Sequence, residues 1–433
     1  MSLLHQHSSA HTPRSLAQTP YSSNPSADLK STAPPASVGR AVQRRYGRRS
    51  PTAPVKKSVR GPSDARWAAT THRLFETAGV RLDGDRPWDI RVHDDRFHRR
   101  VLTQGSLGLG ESYMDGWWDC DRLDAFFERI LEAGLDSKVI PLRDRLRLVG
   151  ARLTNPGRRA LAFHIGRHHY DLGNRLYGAM LDQRMIYSCG YWQEAENLDQ
   201  AQEAKLALIC RKLSLEPGQR LLDIGCGWGG TARYAARRHG VAVVGITVSA
   251  EQVDEARRRC AGLPVEIRLQ DYRDVEGTFD RIVSVGMMEH VGVKNYPGFF
   301  AVARRHLAAD GLLLLHTIGN NRSRVQCDPW IERYIFPNSM LPSARQLCEA
   351  AEPYFVMEDW HNFGADYDRT LMAWAANFER AWKNLKGTYD NRFYRMWRYY
   401  LHACAGAFRA RQTQVWQIVY SPRGVPGGYQ APR

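Results

Sequence analysis

The stretch Arg220-Leu-Leu-Asp-Ile-Gly-Cys-Gly-Trp-Gly-Gly230 decides the fold of this chain. An apolar run ends in an acidic residue and is followed by glycines at positions 225, 227, 229 and 230. Residues 231–239 then have the composition of a helix. A strand, a glycine-rich turn and a helix in this order form the nucleotide-binding entrance of an α/β sheet. The stretch therefore predicts a nucleotide site where its first strand ends.

The glycine spacing and the acidic residue narrow the choice of nucleotide. A pyrophosphate-binding fingerprint has its third glycine three residues after the second, whereas the glycines at 225, 227 and 229 alternate strictly. The carboxylate of Asp223 would repel a phosphate but suits a cationic or hydroxyl-rich ligand. S-adenosylmethionine (SAM) carries an ammonium and a sulfonium group, so we expect SAM. The predicted contacts in the turn are Asp223, Gly225, Cys226, Gly227, Trp228 and Gly229.

Helical and strand patterns alternate along the rest of this region. Further strands are predicted at residues 241–247, 265–270, 280–285, 312–317, 355–359 and 415–419, and helices at 201–213, 250–259 and within 370–410. This order requires a mostly parallel, doubly wound sheet. The predicted fold class is therefore α/β, a Rossmann-like SAM methyltransferase sheet preceded by a small, mostly helical domain.

Polar residues follow the predicted strands, where ligands of open α/β sheets bind. The second strand lacks the usual ribose-binding carboxylate, and hydroxyl and amide groups stand there instead. The third strand ends where Asp271 could accept a hydrogen bond from the adenine amino group. The predicted contacts at these two strand ends are Thr247, Ser249, Gln252, Gln270, Asp271 and Tyr272.

Four further residues are candidates for chemistry, and each has an ordinary structural alternative. Glu289 follows the fourth strand, where it could also belong to a surface pair with His290. His316 lies at the predicted carboxyl end of a leucine-rich strand and could be a buried core histidine. Cys189, within an aromatic segment, could line a pocket or be a small core residue. Cys404 is either a helix-packing residue or a weak nucleophile.

The totals limit the class of protein. At 433 residues the chain can bury a large core and hold two domains. No apolar run approaches the roughly 18 residues that a membrane-spanning helix needs. The eight cysteines form no CxxC pair, so we expect reduced thiols in a cytosol and no metal site.

The net charge of +16 raises the alternative of a nucleic-acid-binding protein. Residues 1–62 hold ten Lys and Arg against the single Asp28, so about +9 of the charge belongs to them and about +7 to the remainder. Their Ser-, Pro-, Gln- and Arg-rich composition predicts disorder. We interpret them as a basic tail that contacts anionic lipid, with an organellar transit peptide as the alternative.

Ordered structure is predicted from about residue 65. A helix is expected at 65–75, a short strand at 89–93 and an amphipathic helix at 123–131. We assign residues 63–160 to a small N-terminal domain and residues 161–433 to the catalytic domain. Aromatic residues of the smaller domain are expected in its core, although an acyl-chain groove would need similar walls.

Longer motifs resemble those of the bacterial cyclopropane-fatty-acyl-phospholipid synthases, within the wider mycolic acid and cyclopropane synthase superfamily. The resemblance extends from about residue 67 to residue 419. It rests on GSLGLGESYMDGWWDCDRLD (105–124), HYDLGNRLY (169–177), MIYSCGYW (185–192), LLDIGCGWGG (221–230), LQDYRD (269–274), DRIVSVGMMEHVG (280–292), LLHTIG (314–319), DPWIERYIFPN (328–338), EDWHNFGADYDRTLMAW (358–374) and ACAGAFRAR (403–411).

The resemblance implies methylene transfer from SAM to a cis double bond in an acyl chain of a membrane phospholipid. Bound bicarbonate is the implied base, held by Cys189, Glu289, His316, Tyr367 and the backbone of Ile318. Tyr187 and Ser188 join the SAM contacts. The family pattern also marks Cys404 as catalytic, although the mechanism leaves a thiolate without a clear task.

The resemblance further implies a homodimer that works at the inner face of the cytoplasmic membrane through its N-terminal domain. Two enzyme alternatives remain, a methyl branch instead of a ring and a protein-borne mycolic-type chain as acceptor. A non-catalytic lipid-binding protein is a third. We expect no nucleic-acid partner, because most of the positive charge lies in the tail and no RNA-binding module is present.

Overall fold

The computed structural model describes residues 62–138 and 173–433, and the first of these ranges is mostly helical. Its elements are α1 (Pro62–Glu76), β1 (Arg91–Val92), α2 (Arg96–Met114), β2 (Trp118–Asp119), α3 (Leu123–Glu132) and α4 (Leu135–Lys138). The predicted helices at 65–75 and 123–131 and the short strand within 89–93 are present. The predicted tail at 1–62, except its last residue, and the boundary at 160 lie outside the described residues, so the domain division stays a prediction.

A seven-stranded sheet forms the centre of the second described range. The elements there are α5 (Asn174–Met180), α6 (Leu198–Lys212), β3 (Arg220–Ile224), α7 (Gly230–His239), β4 (Ala242–Thr247), α8 (Ala250–Arg259), β5 (Val265–Leu269), β6 (Phe279–Val285), α9 (Met288–Val291), α10 (Tyr296–His306), β7 (Leu307–Asn320), α11 (Pro329–Tyr334), α12 (Ala344–Ala351), β8 (Val356–Asn362), α13 (Ala365–Leu385), α14 (Asn391–Arg409) and β9 (Thr413–Ser421). The strand order is β5-β4-β3-β6-β7-β9-β8. The first five strands are parallel, and β9 is antiparallel to both of its neighbours. The predicted fold class is confirmed.

Strand β7 is longer than the predicted strand at 312–317. It pairs in parallel with β6 and continues beyond the end of β6 as the antiparallel partner of β9, as far as the pair Asn320 and Thr413. His316 is therefore inside a strand and not at its carboxyl end, which corrects the predicted position. Since His316 lies opposite Val285, the last residue of β6, it is still level with the carboxyl edge of the parallel strands.

The two late helices share a hydrophobic core with the N-terminal range. Helices α13 and α14 pack together, and α14 also packs against α2 and α3. Trp374 and Trp397 from the late helices belong to the same buried cluster as Trp118 and Phe126. All four side chains are fully buried, and burying an aromatic side chain of this size contributes about 2 kcal/mol or more. The aromatic residue Trp118 thus has the core position predicted for it.

An ion-pair cluster joins the same helices. The guanidinium of Arg409, the last residue of α14, donates to Asp124 of α3 and to Asp368 of α13, at 2.8 Å in each case. Asp124 is fully buried and also accepts from Arg122. A buried carboxylate is tolerated because two guanidinium groups compensate for its lost hydration.

The described residues contain neither a membrane-spanning helix nor a metal-binding cluster. No helix in residues 62–138 or 173–433 combines the length and apolar character needed to cross a bilayer. No group of three or more His, Cys, Asp or Glu side chains in the same ranges could hold a metal ion. The eight cysteines are all free thiols.

Candidate active site

The turn after β3 has a backbone geometry that requires glycine. Gly225 and Gly229 have φ angles of 85° and 80°, a left-handed conformation that residues with a Cβ disfavour. A Cβ on Gly229 would also lie only 3.0 Å from the sulfur of Cys260, which directly follows α8. The backbone N–H groups of Gly225 and Cys226 both donate to the carbonyl of Ile246, at 2.9 and 3.0 Å. The turn is thus attached to the end of β4.

A cavity of about 1270 Å³, its open mouth included, lies beyond the carboxyl ends of β3, β4, β5 and β6. Parallel strands end at one edge of the sheet, so residues far apart in sequence meet there. The predicted SAM contacts that line this cavity are Tyr187, Ser188, Gly225, Cys226, Gly227, Trp228, Thr247, Gln252, Gln270, Asp271 and Tyr272.

Three predicted SAM contacts lie outside the cavity lining and support it instead. Gly229 packs its backbone against α8. The side chain of Ser249 caps α8 by accepting a hydrogen bond from the backbone N–H of Gln252 at 3.4 Å. Asp223 is only 1% exposed, and burial raises the pKa of its carboxyl group to about 7, although nearby Lys205 opposes this rise.

Polar side chains at the β4 and β5 ends are held by neighbours. The carboxylate of Asp271 accepts from the backbone N–H of Arg273 at 2.9 Å and pairs with the Arg273 guanidinium at 3.1 Å. The hydroxyl of Thr247 donates to the amide oxygen of Gln252 at 2.8 Å. Because these contacts fix the side chains before a ligand arrives, this end of the cavity is preorganised for hydrogen bonding.

The cavity lining also contains residues that the sequence did not predict. Lys205, Arg273 and His290 line the cavity, but none was predicted as a SAM contact. Lys205 is a fully buried lysine in α6, one position before the fully buried Leu206. Its position on the apolar face of that helix could have indicated a site residue from the sequence, because a lysine is seldom fully buried without a partner.

Glu289 of α9 is the most distinctive acid of the site. It is 6% exposed, and its Oε1 accepts from the backbone N–H of Ile318 at 2.7 Å. Its Oε2 is buried and has no hydrogen-bond partner among the described residues. Burial raises the pKa of the carboxyl group to about 7, and the Ile318 N–H opposes this rise. A carboxyl group with this pKa can donate or accept a proton near neutral pH.

His316 is buried and neutral. Burial lowers the pKa of its ring, and the positive charges of Lys205 and Lys212 lower it further. The ring Nδ1 lies 3.4 Å from the amide nitrogen of Gln417 on β9. With that amide as the donor, Nδ1 accepts and Nε2 carries the proton of the neutral ring.

Cys189 and Tyr367 complete the predicted cage. The thiol of Cys189 is fully buried and donates to the carbonyl of Gly190 at 3.1 Å. Burial raises the pKa of this thiol well above its usual value. Burial likewise raises the pKa of the Tyr367 hydroxyl, and the proximity of Cys189, Tyr187 and Glu289 raises it further. Both groups therefore keep their protons, and Tyr367 remains a hydrogen-bond donor beside Glu289.

Cys404 lies near this group but lacks a means of activation. Burial raises the pKa of its thiol, and the neighbouring Cys327 and Asp328 raise it further. Its proximity also contributes to the raised pKa values of Tyr367 and Tyr400. Since the thiolate is the nucleophilic form of cysteine, this environment argues against a nucleophilic role.

Aromatic rings connect the cavity with the residues around Glu289. The hydroxyl of Tyr187, which lines the cavity, lies 2.8 Å from the hydroxyl of Tyr400. The Tyr187 ring centroid is 5.2 Å from that of Trp374 and 6.5 Å from that of Phe336. The Trp374 ring is 5.8 Å from that of Tyr367. These rings thus connect Tyr187 of the cavity lining, through Trp374, with Tyr367 of the predicted cage.

Comparisons with known proteins identify the family of this chain. The family model described as mycolic acid cyclopropane synthetase matches residues 158–418. The cyclopropane-fatty-acyl-phospholipid synthase of Escherichia coli (strain K12) is 56% identical over 371 residues, which cover 86% of this chain and 97% of that protein. The tuberculostearic acid methyltransferase UfaA1 of Mycobacterium tuberculosis is 30% identical over 414 residues, which cover 86% of this chain and 95% of that protein.

A solved structure points the same way. The mycolic acid cyclopropane synthase CmaA1, complexed with SAH and CTAB, matches with a TM-score of 0.56 and 32% identity over 60% of this chain and 97% of that chain. The predicted family and the predicted use of SAM are confirmed by these matches. This chain belongs to the mycolic acid cyclopropane synthetase family of SAM-dependent methyltransferases.

Proposed function

We propose that this enzyme is a cyclopropane-fatty-acyl-phospholipid synthase, which transfers a methylene group from SAM to a cis double bond of an unsaturated phospholipid acyl chain. The observation that carries the proposal is the buried Glu289 carboxyl group, with one oxygen bound by Ile318 and the other unpartnered among the described residues, beside an aromatic region. The 56% identity to the Escherichia coli synthase over nearly its whole length supports the same activity.

The reaction requires both a donor and a base. An alkene is a weak nucleophile, and its attack on the sulfonium methyl breaks the carbon–sulfur bond and leaves a carbocation in the acyl chain. A proton must then leave the transferred methyl group, and the electron pair of that bond closes the ring. SAM supplies the activated methyl group, and bicarbonate, when bound, supplies the base.

The residues around Glu289 have the donors and acceptors that bicarbonate needs. Bicarbonate has one O–H, which would donate to the unpartnered Oε2 of Glu289. Its negative oxygens would accept from the Tyr367 hydroxyl, which keeps its proton because its pKa is raised, and from His316. The N–H of Ile318 is already engaged by Glu289, so this residue contributes by holding that carboxylate in place. Cys189 fills the dry space beside them.

The aromatic side chains have two tasks in this proposal. Their ring faces stabilise a carbocation electrostatically without reacting with it. Their bulk excludes water, which would otherwise capture the cation and give an alcohol. The proposed wall consists of Tyr187, Trp374, Tyr367 and Phe336, whose ring contacts are given above.

The SAM orientation follows from the polar groups of the cavity. We propose that Asp271 accepts from the adenine amino group, and that Thr247 and Gln252 bind the ribose hydroxyls. With the sheet order β5-β4-β3-β6-β7, the amino-acid part of SAM would then lie at the end of β3, and the sulfonium methyl would point toward β6 and β7, which lead to Glu289 and carry His316. This orientation would bring the methyl group to the aromatic region.

Lipid analysis tests the proposed activity. Cells that make cis-unsaturated phospholipids and express this enzyme are expected to gain acyl chains heavier by one methylene group and lacking a double bond. Glu289→Gln should bind SAM normally but form little product, whereas Glu349→Gln, at an exposed helical position, should match the wild type. Wild-type product yield from Glu289→Gln would remove this residue from its assigned role.

A methyl-branched product is the alternative within the family, and the relative UfaA1 is named a tuberculostearic acid methyltransferase. Detection of double bonds in the same lipids separates the two outcomes, because a cyclopropane chain and a branched alkene have the same mass but only the alkene keeps a double bond. Persistent branched alkenes would favour the alternative. Omitting bicarbonate from a purified assay in carbon-dioxide-free buffer should lower turnover, and adding it back should restore turnover.

The proposed substrate places the enzyme at a membrane surface. We propose a homodimer at the inner face of the cytoplasmic membrane, as the family resemblance implies, and sedimentation alone and with anionic vesicles would test both points. Removal of residues 1–61 should leave turnover on vesicles largely intact. A nucleic-acid-binding protein would instead lose most of its affinity for DNA or RNA with this segment, because ten of its Lys and Arg residues are removed.

A further inference from the structure

Lys205 is a buried charge with no task in the mechanism above. It lies in α6, is fully buried and lines the SAM cavity. Removing an ammonium group from water costs several kcal/mol unless anions or hydrogen-bond acceptors replace the water. Burial accordingly lowers the pKa of Lys205 to about 8, which still leaves the group mostly charged at neutral pH.

The protein compensates this charge only in part. The Nζ of Lys205 donates to the Ser188 hydroxyl at 2.9 Å, and no other hydrogen-bond acceptor is found for it among the described residues. Of the nearby carboxyl groups, Asp182 already accepts from the backbone N–H groups of Arg184 and Ile186. Asp223 has a pKa raised to about 7, so it is not fully ionised at neutral pH. An ammonium has three donors, and a neutral hydroxyl satisfies one of them.

The position of Lys205 defines one end of the cavity. It interacts electrostatically with Asp223 at the end of β3, with Cys189 and with His316 on β7. Asp271 and its partner Arg273 lie at the other side, after β5. The two cationic side chains of the lining are therefore separated by the width of the site, and the Arg273 guanidinium already pairs with a carboxylate.

We propose that Lys205, together with the Ser188 hydroxyl, binds the α-carboxylate of the methionine part of SAM and makes the cavity selective for a donor that carries this carboxylate. The inference rests on the orientation of SAM proposed above. With adenine at Asp271, the amino-acid part of SAM extends toward β3, where Lys205 offers unsatisfied N–H groups. An anion at that point compensates the buried ammonium, and it offsets the repulsion between Lys205 and the sulfonium.

Calorimetry with two donors that differ only in this carboxylate tests the inference. SAM and decarboxylated SAM would be titrated into the enzyme without lipid, so that no turnover occurs. The wild type should bind SAM about 10- to 100-fold more tightly than decarboxylated SAM, the usual worth of a charged hydrogen bond. Lys205→Met should lose most of this preference through weaker SAM binding, with decarboxylated SAM bound within about threefold of the wild type.

Control variants separate the outcomes. Lys212 is a second fully buried lysine of α6, paired with Asp359 at 2.9 Å and absent from the cavity lining, so Lys212→Met should keep the preference for SAM. Asp271→Asn, at the adenine end of the cavity, should weaken the binding of SAM and of decarboxylated SAM by the same factor. Ser188→Ala removes only the neutral partner of Lys205 and should reduce the preference by a smaller factor, which keeps the inference testable should Lys205→Met fail to fold.

Two results would overturn the inference. If Lys205→Met weakens the binding of SAM and of decarboxylated SAM equally, Lys205 only supports the cavity wall. An unchanged preference for SAM in Lys205→Met and Ser188→Ala would show that the carboxylate binds elsewhere. Neither result contradicts the proposed reaction. That reaction is tested separately by the lipid analysis of the wild type and of Glu289→Gln.

Discussion

Replacement of Glu289 by glutamine should remove a loss of stability that the wild type undergoes as the pH rises, and it should also remove the activity. The carboxyl group is 6% exposed, and burial raises its pKa from 4.5 to about 7. A shift of this size corresponds to about 3 kcal/mol, which the folded protein loses when the buried group ionises. Glutamine has nearly the same shape and an oxygen that can still accept from Ile318, but it never acquires a charge.

The sign follows from proton binding. Between the unfolded pKa near 4.5 and the folded pKa near 7, the native state binds more protons than the unfolded state at Glu289. The contribution of this residue to the free energy of unfolding therefore falls as the pH rises through that window and is constant above it. The variant lacks this loss. The difference in stability between variant and wild type should grow by up to about 3 kcal/mol from about pH 4.5 to about pH 8.

Urea denaturation of both proteins across this pH range, in bicarbonate-free buffer, measures the difference. Any constant cost of burying the amide cancels, because only the change with pH is compared. Glu349→Gln, at an exposed position, serves as the control for replacing a glutamate by glutamine outside the site. If the difference in free energy of unfolding between Glu289→Gln and the wild type does not change with pH, the claim that burial holds this carboxyl group in its protonated form is refuted.

Three further substitutions test other parts of the structure. Gly229→Ala should lower the free energy of unfolding by about 2 kcal/mol, because the left-handed backbone is strained and the new methyl would lie 3.0 Å from the Cys260 sulfur. Arg409→Met should cost about 3 kcal/mol in urea denaturation by leaving the buried Asp124 with a single guanidinium partner. Burial opposes ionisation of Asp124, but its arginine partners hold the pKa of that carboxyl well below its usual range. The stability that they contribute is thus present above about pH 4 and is lost as the pH falls through the lower folded pKa. Cys404→Ala should keep turnover within about threefold of the wild type, because burial raises the pKa of this thiol.

Each of these three substitutions has a matched control variant. Gly218 has a φ of 87° but open space around it, so Gly218→Ala isolates the backbone strain and should cost less than Gly229→Ala. Arg345 pairs with Glu349 at the surface, and Arg345→Met should leave the free energy of unfolding nearly unchanged. Cys348 is an exposed thiol whose loss should not change turnover. Equal losses of stability in the two glycine variants, or in the two arginine variants, would contradict the corresponding structural argument. An inactive Cys404→Ala variant would contradict the argument about that thiol.

The sequence by itself determined the order of strands and helices and the class of cofactor. The apolar runs at 220–224 and 241–247 locate strands β3 and β4 to within one residue, because the signal is local to each strand. The glycines at 225 and 229 predict the turn because their left-handed backbone geometry is a property of single residues. The family motifs, which are long and specific, led to the same SAM-dependent methyltransferases that the comparisons identify.

Only the tertiary structure decided the electrostatic state of the site. Burial, which depends on packing between distant segments, raises the pKa of Glu289 and lowers that of His316. The extension of β7 beyond β6 depends on pairing with β9, which comes much later in the chain, so the position of His316 within its strand was not visible locally. Lys205 belongs to the cavity for the same reason, since a helical pattern predicts which face is buried but not what that face meets. Local sequence sets backbone conformation and periodicity, whereas charge and proximity in the site depend on long-range contacts.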